Sequence, residues 1–214
     1  MAHIVITSGP TRQYLDPVRY LTNSSSGLMG SCLAKAALEL GHQVTVISGP
    51  VQVDYPDGIH RIDVVTTQEM LDATQAAFLN ADGLIGAAAP CDYMPIHIAP
   101  QKLTKTGNGL ELSLQETPDI VATLGLLKRV EQWVVGFALE TEDVRFRAIV
   151  KMSKKRCDMI VSNSASAMNS SDNSVEIILR GGEVLEQVDG PKPFVAQRIL
   201  KQIQEHLISN GIAS

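Results

Sequence analysis

The residues with the clearest chemical potential form one short stretch, in which Asn23 is followed by Ser24, Ser25, Ser26 and Gly27. Small and apolar residues at helical spacing come next, which predicts that a helix begins here. A helix N-terminus carries unpaired N–H groups and a partial positive charge, and a glycine lets a ligand approach the backbone. The stretch therefore suits binding of a phosphate or a carboxylate, and simple capping of the helix by a serine explains it equally well.

Two groups of lysines could supply positive charge to such a ligand. Lys102 and Lys105 flank a predicted hairpin, where they could close over a triphosphate as a flap, although lysines also commonly protect an edge strand. Lys151 and Lys155 belong to a basic run at a predicted helix end, which suits a phosphate clamp or a solvated face. Asp92 follows an apolar strand, so its carboxylate could bind a base or ribose, or cap the next turn.

The composition restricts the cellular compartment and the kinds of partner that we expect for this chain. The length of 214 residues suits one α/β domain, or one domain with a small appendage, and we expect a single domain over residues 1–214. With 44% hydrophobic and 19% charged residues, the chain can form a sizeable core. Only 4% are aromatic and the formal charge is −5, so binding to nucleic acid or to an anionic membrane is not expected. No segment approaches the roughly 18 apolar residues of a membrane span, and a cytoplasmic enzyme is expected.

Cysteine and histidine spacing indicates no protein-held metal. Cys32, Cys91 and Cys157 are far apart and form no C-x-x-C pair, which also speaks against a disulfide framework. The five histidines show no spacing typical of metal ligands.

The hydrophobic pattern alternates between strands and helices, which predicts a doubly wound, mostly parallel α/β sheet. Strands are predicted at residues 4–6, 44–47, 62–65, 84–89, 134–138 and 159–161. Helices are predicted at 28–40, from a capping box at Thr66 to residue 80, after an N-cap at Thr117, at 141–156 and at 193–208. Two β-hairpins are predicted, one projecting at 102–114 and one at 175–188.

Ligands of open α/β sheets bind beyond the carboxyl ends of the strands. Polar stretches follow four predicted strands there, at residues 8–12, 89–95, 137–142 and 162–173. The loop after the first strand lacks the G-x-G-x-x-G pattern of dinucleotide binding, and no G-x-x-x-x-G-K-[ST] loop occurs. A nicotinamide-dependent reductase is therefore disfavoured, although it remains an alternative together with a non-catalytic nucleotide-binding subunit.

Taken together, the motifs resemble phosphopantothenoylcysteine synthetase of the bacterial, CTP-dependent type, in a stand-alone form. The resemblance covers nearly the whole chain and depends on motifs that occur in order: Gly9-Pro10-Thr11, Asp16-Pro17-Val18-Arg19, Asn23-Ser24-Ser25-Ser26-Gly27, Met29-Gly30, Ala88-Ala89-Pro90-Cys91-Asp92-Tyr93, Lys102-Leu103-Thr104-Lys105, Pro118-Asp119-Ile120-Val121 and Val135-Gly136-Phe137. The resemblance implies a Rossmann-like fold and a homodimer that uses projecting strands. It also implies ligation of 4′-phosphopantothenate to L-cysteine through an acyl-cytidylate, with CTP as co-substrate and Mg²⁺ accompanying it.

The resemblance assigns roles to individual residues. Asn23 and Lys102 are the implied catalytic residues, the first for the reacting acyl group and the second for activation by the triphosphate. Phosphopantothenate is assigned to Asn23, Ser24, Ser25, Ser26 and Gly27. The nucleotide is assigned to Gly9, Ala88, Asp92, Lys102, Phe137, Lys151 and Lys155. The sequence departs from the family pattern at Leu28, Pro90, Cys91, Thr104 and Thr117.

Overall fold

A central sheet of eight strands organises the chain in the computed structural model, which describes residues 1–140, 143–164 and 172–209. The strands are β1 (His3–Ser8), β2 (Arg12–Tyr14), β3 (Tyr20–Thr22), β4 (Gln43–Ser48), β5 (His60–Asp63), β6 (Gly83–Gly86), β7 (Tyr93–Pro95), β8 (Leu114–Glu116), β9 (Trp133–Glu140), β10 (Met159–Ser164), β11 (Asp172–Leu179) and β12 (Val184–Pro191). The helices are α1 (Leu28–Glu39), α2 (Thr67–Phe78), α3 (Ile120–Leu127), α4 (Val144–Lys154) and α5 (Lys192–Ile203), and a π-helical segment (Gln204–Ser209) continues α5.

The order of the strands creates a crevice between β1 and β6. The sheet runs β12-β11-β10-β9-β6-β1-β4-β5, and the six strands from β10 to β5 are parallel. The chain winds outward from β1 through β4 to β5 and then restarts on the other side at β6, so the direction of winding reverses between these two strands. Such a reversal is where open α/β sheets bind ligands. The predicted fold class is confirmed.

Apolar side chains cover both faces of the sheet, as a parallel sheet requires. Ile4 and Ile6 point to the core beneath α1 and α5, whereas Val5 points to the core beneath α2, α3 and α4. All three side chains are fully buried. The alternation explains why β1 is an uninterrupted apolar run in the sequence.

The helix starts agree with the sequence in one case and correct it in another. The predicted capping box of α2 is present, because the Thr66 hydroxyl accepts from the Glu69 N–H at 3.1 Å and the Glu69 carboxylate accepts from the Thr66 N–H at 3.0 Å. The predicted N-cap at Thr117 is wrong. Asp119 caps α3 by accepting from the Ala122 N–H at 3.0 Å, and the Thr117 hydroxyl instead donates to the Cys91 carbonyl at 2.6 Å.

The predicted hairpin at 102–114 is also wrong, whereas the hairpin at 175–188 is confirmed as the antiparallel pair β11 and β12. Of residues 102–114, only Leu114 belongs to a strand, in the small antiparallel pair of β7 and β8. Leu110 and Leu112 are 61% and 41% exposed. Alternation of apolar residues predicts a strand only where one face has an apolar surface to cover, and the residues that the structure describes offer Leu110 and Leu112 none.

The remaining boundaries differ by a few residues. β5 begins two residues before its predicted start, β6 ends at Gly86, and the last helix extends through Ser209. The predicted start of α4 at 141 lies outside the described residues. No helix in the described part of the chain is long and apolar enough to cross a membrane.

Candidate functional site

One large cavity of about 850 Å³ lies at the carboxyl ends of the parallel strands. This volume is in the usual range for ligand pockets, roughly 300–1,000 Å³. Its walls come from the serine loop, the loop after β6, the start of α3, the end of β9, the α4 lysines and the edge of β10–β12. The lining side chains discussed below are Asn23, Ser24, Ser25, Ser26, Gly27, Ala88, Asp92, Glu116, Asp119, Phe137, Lys151, Lys155, Asn163, Asn173 and Lys192.

The serine loop reaches the cavity because the start of α1 is packed tightly against the end of β1. A Cβ atom on Gly30 would lie 2.0 Å from the Ser8 Oγ, so only glycine allows this approach. Gly27 has a left-handed φ of 77° and is the N-cap of α1, so the N-cap position has no side chain to close the helix. The Ser26 hydroxyl accepts from the Leu28 N–H at 3.3 Å, which meets one N–H of the first turn and leaves the others for an anion.

A buried network of hydroxyls holds the loop that carries Asp92. The Cys91 carbonyl accepts from Thr117 at 2.6 Å and from Thr67 at 3.3 Å, and the Cys91 N–H donates to the Thr11 hydroxyl at 2.8 Å. The hydroxyl oxygens of Thr11 and Thr67 are 2.7 Å apart and share a hydrogen bond, and the Gln13 amide donates to the Thr67 hydroxyl at 2.9 Å. Thr11 and Thr67 are fully buried. The network fixes the backbone of the residue before Asp92, whose own side chain is exposed at the cavity.

Asn23 is held by the same loop. Its Nδ2 donates to the Pro90 carbonyl at 2.8 Å, which orients the amide and leaves one N–H of that nitrogen for a ligand. Because the serine loop follows Asn23 directly, the amide and the α1 N-terminus face one cavity. This arrangement can stabilise an oxygen that gains negative charge near a bound anion.

The α4 lysines reach the cavity beside the start of α3. Lys155 forms an ion pair with the Asp119 carboxylate at 2.9 Å. Burial alone would raise the pKa of Asp119, but the hydrogen bond from the Ala122 N–H and the nearby Lys155 outweigh it, so the pKa is lowered. Phe137, at the end of β9, contributes an aromatic ring to the same cavity.

Two predicted site residues lie outside the cavity lining. Gly9 packs against Val51, and its carbonyl accepts from the Ala89 N–H at 2.9 Å. Gly9 therefore holds the backbone next to Ala88 in place without lining the cavity itself. Lys102 is exposed and is not among the lining residues.

The backbone next to Lys102 is firmly anchored. Asp16, which is fully buried, accepts from the Leu103 N–H at 3.1 Å and from the Arg19 guanidinium. Arg19 in turn donates to the Leu103 carbonyl at 2.7 Å. Burial raises the pKa of Asp16, but the hydrogen bonds from Arg19, Val18 and Leu103 outweigh it and lower the pKa overall. The anchored point marks where the exposed segment 104–113 leaves the body of the domain.

Among the lining residues that received no role from the sequence are Asn163, Asn173 and Lys192. Both asparagines lie in the polar stretch 162–173, which the sequence places at the carboxyl end of a parallel strand. The rule that ligands bind at such ends therefore indicates their location but assigns them no function. Lys192 follows the antiparallel edge strand β12, and the parallel-strand rule could not indicate it. A lysine in the first turn of a helix, where the dipole disfavours a cation, is the signal that could have found it.

Comparison with known proteins agrees with this architecture. A family model described as "DNA/pantothenate metabolism flavoprotein C-terminal domain" matches residues 1–207. The Coenzyme A biosynthesis bifunctional protein CoaBC of Vibrio vulnificus (strain CMCP6) is 44% identical over 207 residues, which are 94% of this chain and 51% of that protein. The chain therefore spans about half the length of the curated relatives it matches.

Solved structures with the same fold also match this chain. The crystal structure of the C-terminal domain of a CoaBC protein has a TM-score of 0.81 at 36% identity and covers 95% of this chain and 96% of that one. A Cab2 mutant H337A in complex with phosphopantothenate-cysteine has a TM-score of 0.74 at 15% identity over 95% of this chain and 87% of that one, a likeness of fold alone. The resemblance of the sequence to this family of domains is confirmed. The chain belongs to the family of the DNA/pantothenate metabolism flavoprotein C-terminal domain.

Proposed function

We propose that this chain is a phosphopantothenate–cysteine ligase that acts in the cytoplasm in coenzyme A biosynthesis. In the first half-reaction the carboxylate of 4′-phosphopantothenate attacks the α-phosphorus of CTP, forming the acyl-cytidylate and releasing pyrophosphate. In the second, the amine of L-cysteine attacks the acyl carbon, loses a proton and expels CMP. The observation that carries the proposal is the opening of Asn23, the α1 N-terminus and the α4 lysines into one cavity.

Asn23 is the proposed stabiliser of the acyl oxygen during amine attack. The carbonyl oxygen gains negative charge as the carbon becomes tetrahedral, and an oriented amide N–H opposes that charge. The hydrogen bond to the Pro90 carbonyl supports this role because it holds the amide in place before the substrate arrives.

The nucleotide is proposed to lie between the loop of Ala88 and Asp92 and the α4 lysines, against Phe137. Lys151 and Lys155 offset phosphate charge, and Asp92 accepts hydrogen bonds from the base or ribose. Among the described residues no cluster of three or more histidine, cysteine or carboxylate side chains could hold a metal ion. Mg²⁺ fits such a site as an ion bound mainly by phosphate oxygens and water, with Asp92, Glu116 or Asp119 able to add a carboxylate, and it would neutralise the triphosphate.

Lys102 is proposed to reach the triphosphate in a homodimer. Its anchored position outside the lining residues and the exposed Leu110, Leu112 and Leu114 support a projecting segment that another subunit covers. Light scattering gives the mass in solution. Mixing inactive Asn23→Asp and Lys102→Ala subunits, co-expressed with different tags, restores activity only if the two residues serve a site from different chains.

The decisive experiment measures pyrophosphate release with 4′-phosphopantothenate and either CTP or ATP, in the presence and absence of cysteine. We expect release with CTP in both cases, limited to about one equivalent per site without cysteine. Pantothenate, which lacks the phosphate, is the matched control substrate. Absence of release with either nucleotide refutes the proposal.

A further inference from the structure

Polar side chains from two neighbouring strands and from the start of α5 line one edge of the cavity. Asn163 lies near the carboxyl end of β10, and Asn173 lies at the start of β11. Because β11 and β12 are antiparallel, β11 begins and β12 ends at this same edge, which brings Lys192 beside the two asparagines. All three residues line the cavity.

Lys192 is an ammonium group without a counter-ion among the described residues. It is half-buried and occupies the first position of α5, where the positive end of the helix dipole disfavours a cation. No ion pair or hydrogen bond joins its side chain to the residues that the structure describes. An anion bound beside this partly desolvated charge would therefore be stabilised by it.

The position of Lys192 relative to α1 also follows from the packing. Helices α1 and α5 cover the same face of the sheet, with Leu33 and Val195 in one core. Burial raises the pKa of the Cys32 thiol in α1, and the charges of Lys192 and Lys35 oppose that rise. Lys192 and the N-terminus of α1 line the same cavity.

The two asparagines have hydrogen-bonding capacity that the protein leaves unused. Only 5% of Asn173 is exposed, and its side chain makes no hydrogen bond with the described residues. The Asn163 Oδ1 is buried and also lacks a partner there. Buried polar atoms are normally paired, so the unpaired Asn163 oxygen indicates that a polar group binds at this edge of the cavity.

We propose that Lys192, together with Asn173 and the N-terminus of α1, binds a phosphoryl group of a substrate. This subsite is on the α1 and α5 face of the sheet, whereas Lys151 is on α4, on the other face, and Lys155 directly follows that helix. The ligand chemistry is a phosphate ester or anhydride. The identity of the two ligands that carry phosphate, phosphopantothenate and CTP, depends on the proposed function.

The test compares Lys192→Met with Lys35→Met by titration calorimetry. Both variants lose one positive charge near Cys32, but Lys35 is exposed on α1 and does not line the cavity. A hydrogen bond to a charged group contributes roughly 1.5–3 kcal/mol, so Lys192→Met should weaken binding of the affected ligand about ten- to a hundredfold. Lys35→Met should change it less than threefold, and Lys192→Arg should retain most of the affinity. Lys192→Gln repeats the test with a polar side chain if Lys192→Met does not fold.

The ligands separate the two sources of phosphate. Weaker binding of CTP alone places the triphosphate at the subsite, and weaker binding of 4′-phosphopantothenate, with pantothenate as control, places the phosphomonoester there. Unchanged affinity for both, or an equal loss in Lys35→Met, refutes the proposal. Wild-type protein that binds these ligands but releases no pyrophosphate refutes the ligase function alone. Wild-type protein that binds neither ligand nor inorganic phosphate refutes both.

Discussion

The hydroxyl of Thr67 links α2 to the loop that carries Asp92, and its removal should lower both the stability of the fold and the affinity of the site. Thr67 accepts hydrogen bonds from Thr11 and Gln13 and donates to the Cys91 carbonyl. In Thr67→Val, the Thr11 hydroxyl and the Gln13 amide each lose a buried acceptor. An unsatisfied buried polar group costs about 1–3 kcal/mol, and partial relaxation leads us to expect a total loss of about 2–4 kcal/mol. For a domain of this size, each kcal/mol lowers Tm by roughly 2–4 °C.

Thr74→Val is the matched control for this prediction. Thr74 is on the same helix and is also fully buried, but its hydroxyl donates only to the Met70 carbonyl one turn earlier, at 2.5 Å. We expect this variant to lose no more than about 1 kcal/mol, because that carbonyl also accepts a helical backbone bond. Urea unfolding gives both stabilities, and calorimetry should show weaker CTP binding only for Thr67→Val. If the two variants are equally stable, the network does not hold the Asp92 loop as described.

Three further predictions concern the site and the stability of the fold. Asn23→Asp loses the hydrogen bond to the Pro90 carbonyl and places a negative charge where the oxyanion develops. Amide formation should therefore slow about 100- to 1,000-fold while cytidylate formation continues. Equal loss of both steps in single-turnover assays would contradict the oxyanion role. Gly30→Ala should destabilise the protein by about 1–3 kcal/mol in urea unfolding because its Cβ would overlap Ser8, and adding Ser8→Gly should recover part of that loss. Burial lowers the pKa of His42 below 6.5, so the folded state favours the neutral ring and the free energy of unfolding should fall as the pH drops below about 6.5. In His42→Gln the free energy of unfolding should depend less on pH between about 7.5 and 5.5. If urea unfolding gives the same pH dependence for this variant and the wild type, His42 is not the cause.

The sequence predicts the parallel sheet because the information is local. An apolar run such as Ile4–Ile6 can be read from a few neighbouring residues, and so can the pair of Thr66 and Glu69 that begins α2. The order of these elements then restricts the topology, since parallel strands joined by helices have few permitted arrangements. The carboxyl-end rule converts that topology into a location for the cavity.

The details that were missed depend on contacts between distant parts of the chain. Thr117 has the right sequence context for an N-cap, yet its hydroxyl bonds Cys91, 26 residues away, and Asp119 caps the helix instead. The alternation from Leu110 to Leu114 predicts a strand, but all three leucines are exposed among the described residues. Lys192 enters the cavity only because two antiparallel strands return the chain to this edge.

The charges that line the cavity explain why these lysines are not sufficient alone. Among the described lining residues, Lys151, Lys155 and Lys192 are matched in number by Asp92, Glu116 and Asp119. Before any ligand binds, the lining side chains are therefore close to neutral in sum. A phosphomonoester adds about 1.5 to 2 negative charges and a triphosphate adds more, so binding both requires further cations. Mg²⁺ is one source that we propose, and Lys102, which lies outside the lining of its own chain, is the other.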